Sequence, residues 1–281
     1  MRLTEDELAL LVAYVREASG IVLGPDSAVL LESRLGPLLE SAGLSTGTEL
    51  LARLRDPRST ALRDRVMDRI TTHETSFFRD RGPFDALRGS VLPELAERLQ
   101  GQRAARVWCA ACSTGQEPYS VAMLADEMRP RLADLELEIL ATDLSREALA
   151  RARSGVYSQL EVNRGLTPEH LKRHFEPEGR HWRISRPLRR MVQFRQQNLT
   201  SDSPPHGWFD VILCRNVLIY LDLGVRPRVF AALHEKLAPE GYLFLGAAES
   251  PQGMDLRFHH FGPRDHYCYR RQDAQPERRA A

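Results

Sequence analysis

Four polar interruptions, each at the end of an apolar run, hold the residue types this sequence could use for chemistry. They are Ser113–Glu117, Asp143, Asn198 and Arg215–Asn216. The first follows the run Val107–Ala111 and opens a helix-like pattern with Pro118 in its first turn, a position that suits proline. Small residues at Ser113, Thr114 and Gly115 let backbone N–H groups and a helix N-terminus come close to a ligand. The pattern GxGxxG is absent, because Gly115 is the only glycine of this stretch. That argues against a pyrophosphate and for a smaller adenosyl ligand. Asp143 closes the run LELEILATDLS, 28 residues after Gly115. A carboxylate there is placed to accept hydrogen bonds from both ribose hydroxyls. The competing reading, an N-cap, is filled better by Ser145. In THETSFFRD (72–80), Thr75 and Arg79 either face the same cleft or merely flank Phe77 and Phe78, whose rings pack one domain on another.

These residues require a scaffold that brings strand ends together. Strand-like segments at 106–111, 135–145, 191–199, 208–221, 240–250 and 265–271 alternate with helical patterns that start near 116, 145 and 222. Such alternation predicts an open α/β sheet, with all four interruptions on its carboxyl edge. Residues 155–190 break the alternation with glycines, prolines and a short helix at 168–175, and read as an insertion. Upstream, 4–19, 26 or 27–40, 48–54 and 59–70 read as helices. The first carries a capping box, Thr4 with Glu7. An amphipathic helix ends near Gln100. The expected boundaries are a helical domain at 1–72, an α/β domain at 73–271 containing the insertion, and a disordered tail at 272–281.

The 281 residues suffice for one large or two modest domains. Apolar content of 42%, charged content of 27% and a net charge of +1 fit a globular protein and exclude a wholly electrostatic nucleic-acid binder. No apolar run is long enough to span a bilayer. Acids in MRLTEDELALL argue against a signal peptide, so the expectation is cytoplasmic. Cys109 and Cys112 form a C-x-x-C, but Cys214 and Cys268 stand alone. A zinc site would need a second ligand pair, and buried or loop-lining thiols are the preferred reading; no metal is expected. Between Arg164 and Arg195, nine Arg or Lys face three Glu. That cluster is either a solvated surface or a contact for a carboxylate-rich partner.

The ordered set THETSFFRD, AACSTGQEPYS, ATDLS, QQNL and FDVILCRNVLIYL resembles the CheR-type chemotaxis receptor methyltransferases, over about residues 5–270. The resemblance implies a Rossmann-like methyltransferase sheet with an inserted small β subdomain, preceded by an all-α domain. It further implies S-adenosyl-L-methionine as donor, S-adenosyl-L-homocysteine as product, and glutamate side chains of methyl-accepting receptors as acceptors. The family's donor contacts fall on His73, Thr75, Arg79, Glu117, Asp143, Asn198, Leu199, Arg215 and Asn216. Tyr220 matches the tyrosine beside the transferred methyl, and Arg79 and Tyr220 are the candidate catalytic pair. His73 stands where the family commonly has Asn, and each imidazole nitrogen makes a single hydrogen bond.

On this reading Asp143 holds the ribose, and Glu117 pairs with the methionyl ammonium or a neighbouring hydroxyl. Arg79 and Tyr220 orient the acceptor carboxylate or the methionyl end. A glutamate is ionised at neutral pH, so no general base is needed. The expected partner is the cytoplasmic helical bundle of a receptor, with no nucleic acid, no membrane insertion and a monomeric enzyme. Two alternatives are methyl transfer to another acceptor and a donor-binding regulatory module that transfers nothing. An intact acceptor-side set argues against the second.

Overall fold

The computed structural model describes residues 3–24, 27–100, 103–132, 135–201, 203–254 and 257–271. The alternative cap at Asp26 and the tail at 272–281 lie outside them.

Four helices open the fold: α1 (Glu5–Ser19), α2 (Ser27–Ala42), α3 (Gly47–Arg55) and α4 (Thr60–Ile70). Thr4 and Glu7 form the capping box, and Gly20 closes α1 in the left-handed region. The third helix starts before Thr48 because Thr46 and Glu49 make a second capping box. Leu11, Val15, Leu31, Leu35, Leu50 and Val66 share a separate helical core.

The segment to Gln100 is not one helix. It comprises α5 (Gly82–Ala86), a π-helical turn at Leu87–Val91 and α6 (Leu92–Leu99). The α/β domain then runs β1 (Ala105–Ala110), α7 (Gln116–Met128), β2 (Leu137–Asp143) and α8 (Arg146–Ser154). The insertion holds β3 (Val156–Ser158), α9 (Gln159–Asn163), α10 (Pro168–His174), β4 (Phe175–Glu178), β5 (His181–Ile184) and α11 (Arg186–Met191). The chain returns through β6 (Val192–Gln196), β7 (Phe209–Cys214), α12 (Arg226–Lys236), β8 (Leu237–Leu245), β9 (Phe258–His260) and β10 (Cys268–Arg271).

The main sheet has the order β6-β2-β1-β7-β8-β10-β9, and the insertion adds an antiparallel sheet, β3-β5-β4. Strands β6, β2, β1, β7 and β8 are parallel, while β10 pairs antiparallel with both β8 and β9. Strand order reverses between β1 and β7, so their carboxyl ends open a crevice at the switch point. The run 208–221 is not one strand. Strand β7 ends at Cys214, and Leu218–Tyr220 form a 3-10 turn. Apolar Val217, Leu218 and Leu221 prolong the sequence pattern because they pack into the same core as Trp108, Phe209 and Ile212 after the strand has ended.

The two faces of the sheet bury separate cores. Phe77, Val107, Tyr119, Val121 and Leu149 lie in one, and Trp108, Phe209, Ile212 and Phe230 in the other. The adjacent phenylalanines serve packing in different directions. Phe77 meets Tyr157 and Phe175 edge-on at 5.0 and 5.7 Å, whereas Phe78 stacks on His170 at 4.8 Å. Both rings therefore seat the insertion against the 72–80 segment.

Candidate active site

The site is built where β1 turns into α7. Ala111, Ser113 and Gly115 all have positive φ (58°, 51° and 93°), which curls the backbone around the end of β1. Gly115 is also packed tightly, since a Cβ there would lie 2.8 Å from Ala152 Cβ. Asp143, at the end of β2, accepts from the backbone N–H of Ser113 at 2.8 Å through Oδ2 and of Ser145 at 2.9 Å through Oδ1. Each carboxylate oxygen keeps a lone pair beyond those bonds. Burial pushes the Asp143 pKa up, and the two N–H donors oppose that shift. Ser145 caps α8 as the sequence suggests, so Asp143 is released from that task.

A buried ion pair closes the opposite wall. Arg215, with 2% side-chain exposure, donates to Glu117 Oε2 at 2.9 Å and to Asp80 Oδ2 at 3.0 Å. It also donates to the Arg79 carbonyl at 2.8 Å, and its guanidinium lies 5.7 Å from the Phe84 ring centre. Burial raises the Glu117 pKa, and the Arg215 charge pulls it down. Thus one Glu117 oxygen is already engaged inside the protein, a partner the sequence reading did not include.

The other expected residues line the same cavity of about 290 Å³. All ten, His73, Thr75, Arg79, Glu117, Asp143, Asn198, Leu199, Arg215, Asn216 and Tyr220, are on its wall. His73 Nε2 is 3.1 Å from Thr71 Oγ1. Arg79 is half-buried and donates to the Glu74 carbonyl at 2.9 Å. The Asn198 amide is committed locally: its Nδ2 donates to the Ala18 carbonyl at 2.9 Å, and its Oδ1 accepts from Thr200. Tyr220 sits at the mouth, 45% exposed. Its carbonyl accepts from Val22 N–H at 2.8 Å, so the helical domain supplies part of the rim.

Sequence reasoning missed Asp80, which holds Arg215, and the wall from the helical domain, which includes Val22, Leu23 and Ile70. Asp80 stands one residue after the matched Arg79, and that adjacency was the available signal. The helical domain is tied to the site through Asp68, which accepts from Ser145 Oγ at 2.7 Å, and through Asp64, which pairs with Arg146 at 3.0 Å.

All four cysteines are free and buried. Burial drives the thiol pKa values of Cys109, Cys112 and Cys214 well up, which leaves them protonated and poor nucleophiles. Among the described residues no group of three or more His, Cys, Asp or Glu is arranged to hold a metal. No helix there is long and apolar enough to cross a membrane.

The cavity has unmet polar groups that a polar ligand such as an adenosyl sulfonium donor would engage. Ser113 Oγ and Arg215 Nε are buried without a hydrogen-bond partner, and both residues line it. Such groups are costly to leave unmet, and a polar ligand would satisfy them.

Comparison with known proteins points the same way. The family described as "CheR methyltransferase, SAM binding domain" matches residues 73–266, and "CheR methyltransferase, all-alpha domain" matches 6–71. A Pseudomonas putida protein named chemotaxis protein methyltransferase Cher2 is 42% identical over 245 residues, covering 86% of this chain and 89% of its own. Chemotaxis protein methyltransferase 1 of Pseudomonas aeruginosa is 42% identical over 248 residues, covering 87% and 90%. The Escherichia coli chemotaxis protein methyltransferase is 34% identical over 271 residues, covering 92% and 91%. With its helical domain, its switch-point cavity and these matches, the chain belongs to the CheR methyltransferase family and is an S-adenosylmethionine-dependent methyltransferase.

Proposed function

We propose that the protein methylates glutamate side chains of chemotaxis receptors, forming glutamate methyl esters, and that it works in the cytoplasm on the receptor's helical bundle. The observation that supports this reading is that Glu117, Arg215, Asp143, Arg79 and Tyr220 line one cavity, with Tyr220 partly exposed. The donor supplies a methyl group on a sulfonium sulfur, open to in-line displacement. The residues then have four tasks. Asp143 accepts from the ribose hydroxyls through its remaining lone pairs. Glu117, already tied to Arg215, holds the methionyl ammonium with the oxygen Arg215 leaves free. The Ser113–Gly115 turn and its neighbours exclude water, which favours a reaction in which charge disappears. Arg79 and Tyr220 align the acceptor carboxylate at the rim. Alignment is the main catalytic contribution, because an ionised carboxylate needs no general base.

The basic insertion and helical-domain arginines would guide an acidic receptor bundle toward the mouth. Part of the insertion cluster is engaged internally: Arg164 pairs with Glu74 and Arg173 with Asp126. Arg180, Arg186 and Arg190 therefore become the first residues to test for docking.

The test uses labelled donor and receptor-containing membranes. Wild type should deposit base-labile label. Arg79→Ala and Tyr220→Phe should lose transfer while still binding S-adenosylhomocysteine. Absence of label with wild type overturns the function, and full activity of both variants overturns their orienting role.

A further inference from the structure

Glu249 follows β8 and lies outside every motif that marks the site, yet its carboxylate grips the loop that carries Asn216 and leads to Tyr220. Oε2 accepts from Gly246 N–H at 2.7 Å and Asn216 N–H at 2.8 Å. Oε1 accepts from Val217 N–H at 2.8 Å and Leu218 N–H at 2.7 Å. Four backbone donors thus converge on one buried side chain. Asn216 is in the left-handed region, φ 57°, which turns successive N–H groups inward and makes the concave arrangement that suits an anion. This carboxylate is an internal occupant of that concavity. It bridges β7 and β8 at the end of the sheet, just beyond the Cys214↔Leu245 register pair.

The position of the loop explains why this matters. Arg215 precedes the gripped segment and is fixed independently by Glu117 and Asp80. Tyr220 follows it on a 3-10 turn and is exposed at the cavity mouth. Between them, Asn216–Leu218 have Glu249 as their anchor to the sheet. An ordinary core contact would tolerate small shifts of such a loop, whereas charge-assisted bonds to four consecutive or facing N–H groups set its height and twist. Gly246 shows how little slack exists. A Cβ on it would lie 2.7 Å from Glu249 Oε2 and 2.8 Å from Asn216 N.

We propose that Glu249 is a positioning residue for methyl transfer, setting Asn216 and Tyr220 against the donor cavity through the 216–218 backbone. Glu249 itself is not on the cavity wall. The proposal rests on the methyl-transfer reading of the cavity for its catalytic consequence, but not for the anchoring itself.

The test compares wild type with Glu249→Gln and Gly246→Ala. Glutamine keeps the shape but turns an N–H₂ group toward two N–H donors, and alanine at 246 pushes the carboxylate aside without removing it. Both variants should lower kcat for receptor methylation by about 100-fold, the scale expected for a displacement near 1 Å. The Kd for S-adenosylhomocysteine should weaken by no more than about tenfold, because Asn216 shifts with the loop while Asp143 and Glu117 stay in place, so the larger loss falls on the chemical step. Amide hydrogen exchange at Asn216, Val217 and Leu218 should be slow in wild type and fast in both variants. A folded Glu249→Gln with wild-type kcat overturns the proposal, as does unchanged exchange at these amides. If Glu249→Gln does not fold, Gly246→Ala with wild-type kcat and exchange overturns it equally. Failure of wild type to methylate receptors would instead remove the function, and the exchange measurement would still decide whether Glu249 anchors the loop.

Discussion

Arg215 and Glu117 form an ion pair at 2.9 Å in the wall of the donor cavity, with the arginine side chain almost wholly buried. The pair joins the end of β7 to the first turn of α7, across the point where the strand order reverses. Removing one partner leaves the other charge buried without compensation, which costs about 3–5 kcal/mol. Arg215→Met should therefore lower the unfolding free energy by about that amount and abolish donor binding. Urea denaturation and calorimetry check the two effects, and a loss below about 1 kcal/mol would assign the pair a surface-like role.

Glu117 should give the folded protein a pH signature. Burial raises its pKa despite Arg215, so the folded state binds this proton more tightly than the unfolded chain. The stability it contributes is present below the ordinary glutamate value of about 4.3 and is lost as pH rises through the raised folded value. Relative to Glu117→Gln, wild type should lose unfolding free energy as pH rises across that window and run parallel to it above. Urea titrations of both proteins at several pH values test this, and a difference that does not vary with pH would contradict it.

Asp143 should be essential for donor affinity. Replacement by Asn puts an N–H₂ against the N–H of Ser113 or of Ser145, each of which donates to Asp143. Loss of a charged acceptor is worth about 1.5–3 kcal/mol, so S-adenosylhomocysteine should bind roughly 10- to 100-fold more weakly by calorimetry. Affinity within about twofold of wild type would remove Asp143 from the ribose site.

Much of this site could be read from the chain before folding. Apolar runs ending at Ala111, Asp143 and Cys214 announced strand ends, and topology alone assigns those ends to one edge. The run through Leu221 misled because Val217, Leu218 and Leu221 pack into the core although β7 has already ended at Cys214. Glu249 was invisible for a different reason. A glutamate after an apolar strand carries no local pattern, and its four partners come from backbone N–H groups, whose availability depends on folded geometry. Asp80 was hidden similarly, since its partner Arg215 lies 135 residues away.

The cysteine arrangement makes a contrasting prediction. Cys109, Cys112, Cys214 and Cys268 are buried, with raised thiol pKa values. Native protein should react with a water-soluble disulfide reagent only as fast as it unfolds, while denatured protein should yield four thiols at once. Rapid native reaction at Cys109 or Cys112 would revive a redox role for the C-x-x-C.

The most direct measurement is identification of the product on a receptor's cytoplasmic fragment by peptide mass spectrometry after incubation with S-adenosylmethionine. The account predicts methyl groups on glutamate side chains, released as methanol by mild base. Methyl groups confined to base-stable positions, or unmodified glutamates throughout, would contradict it.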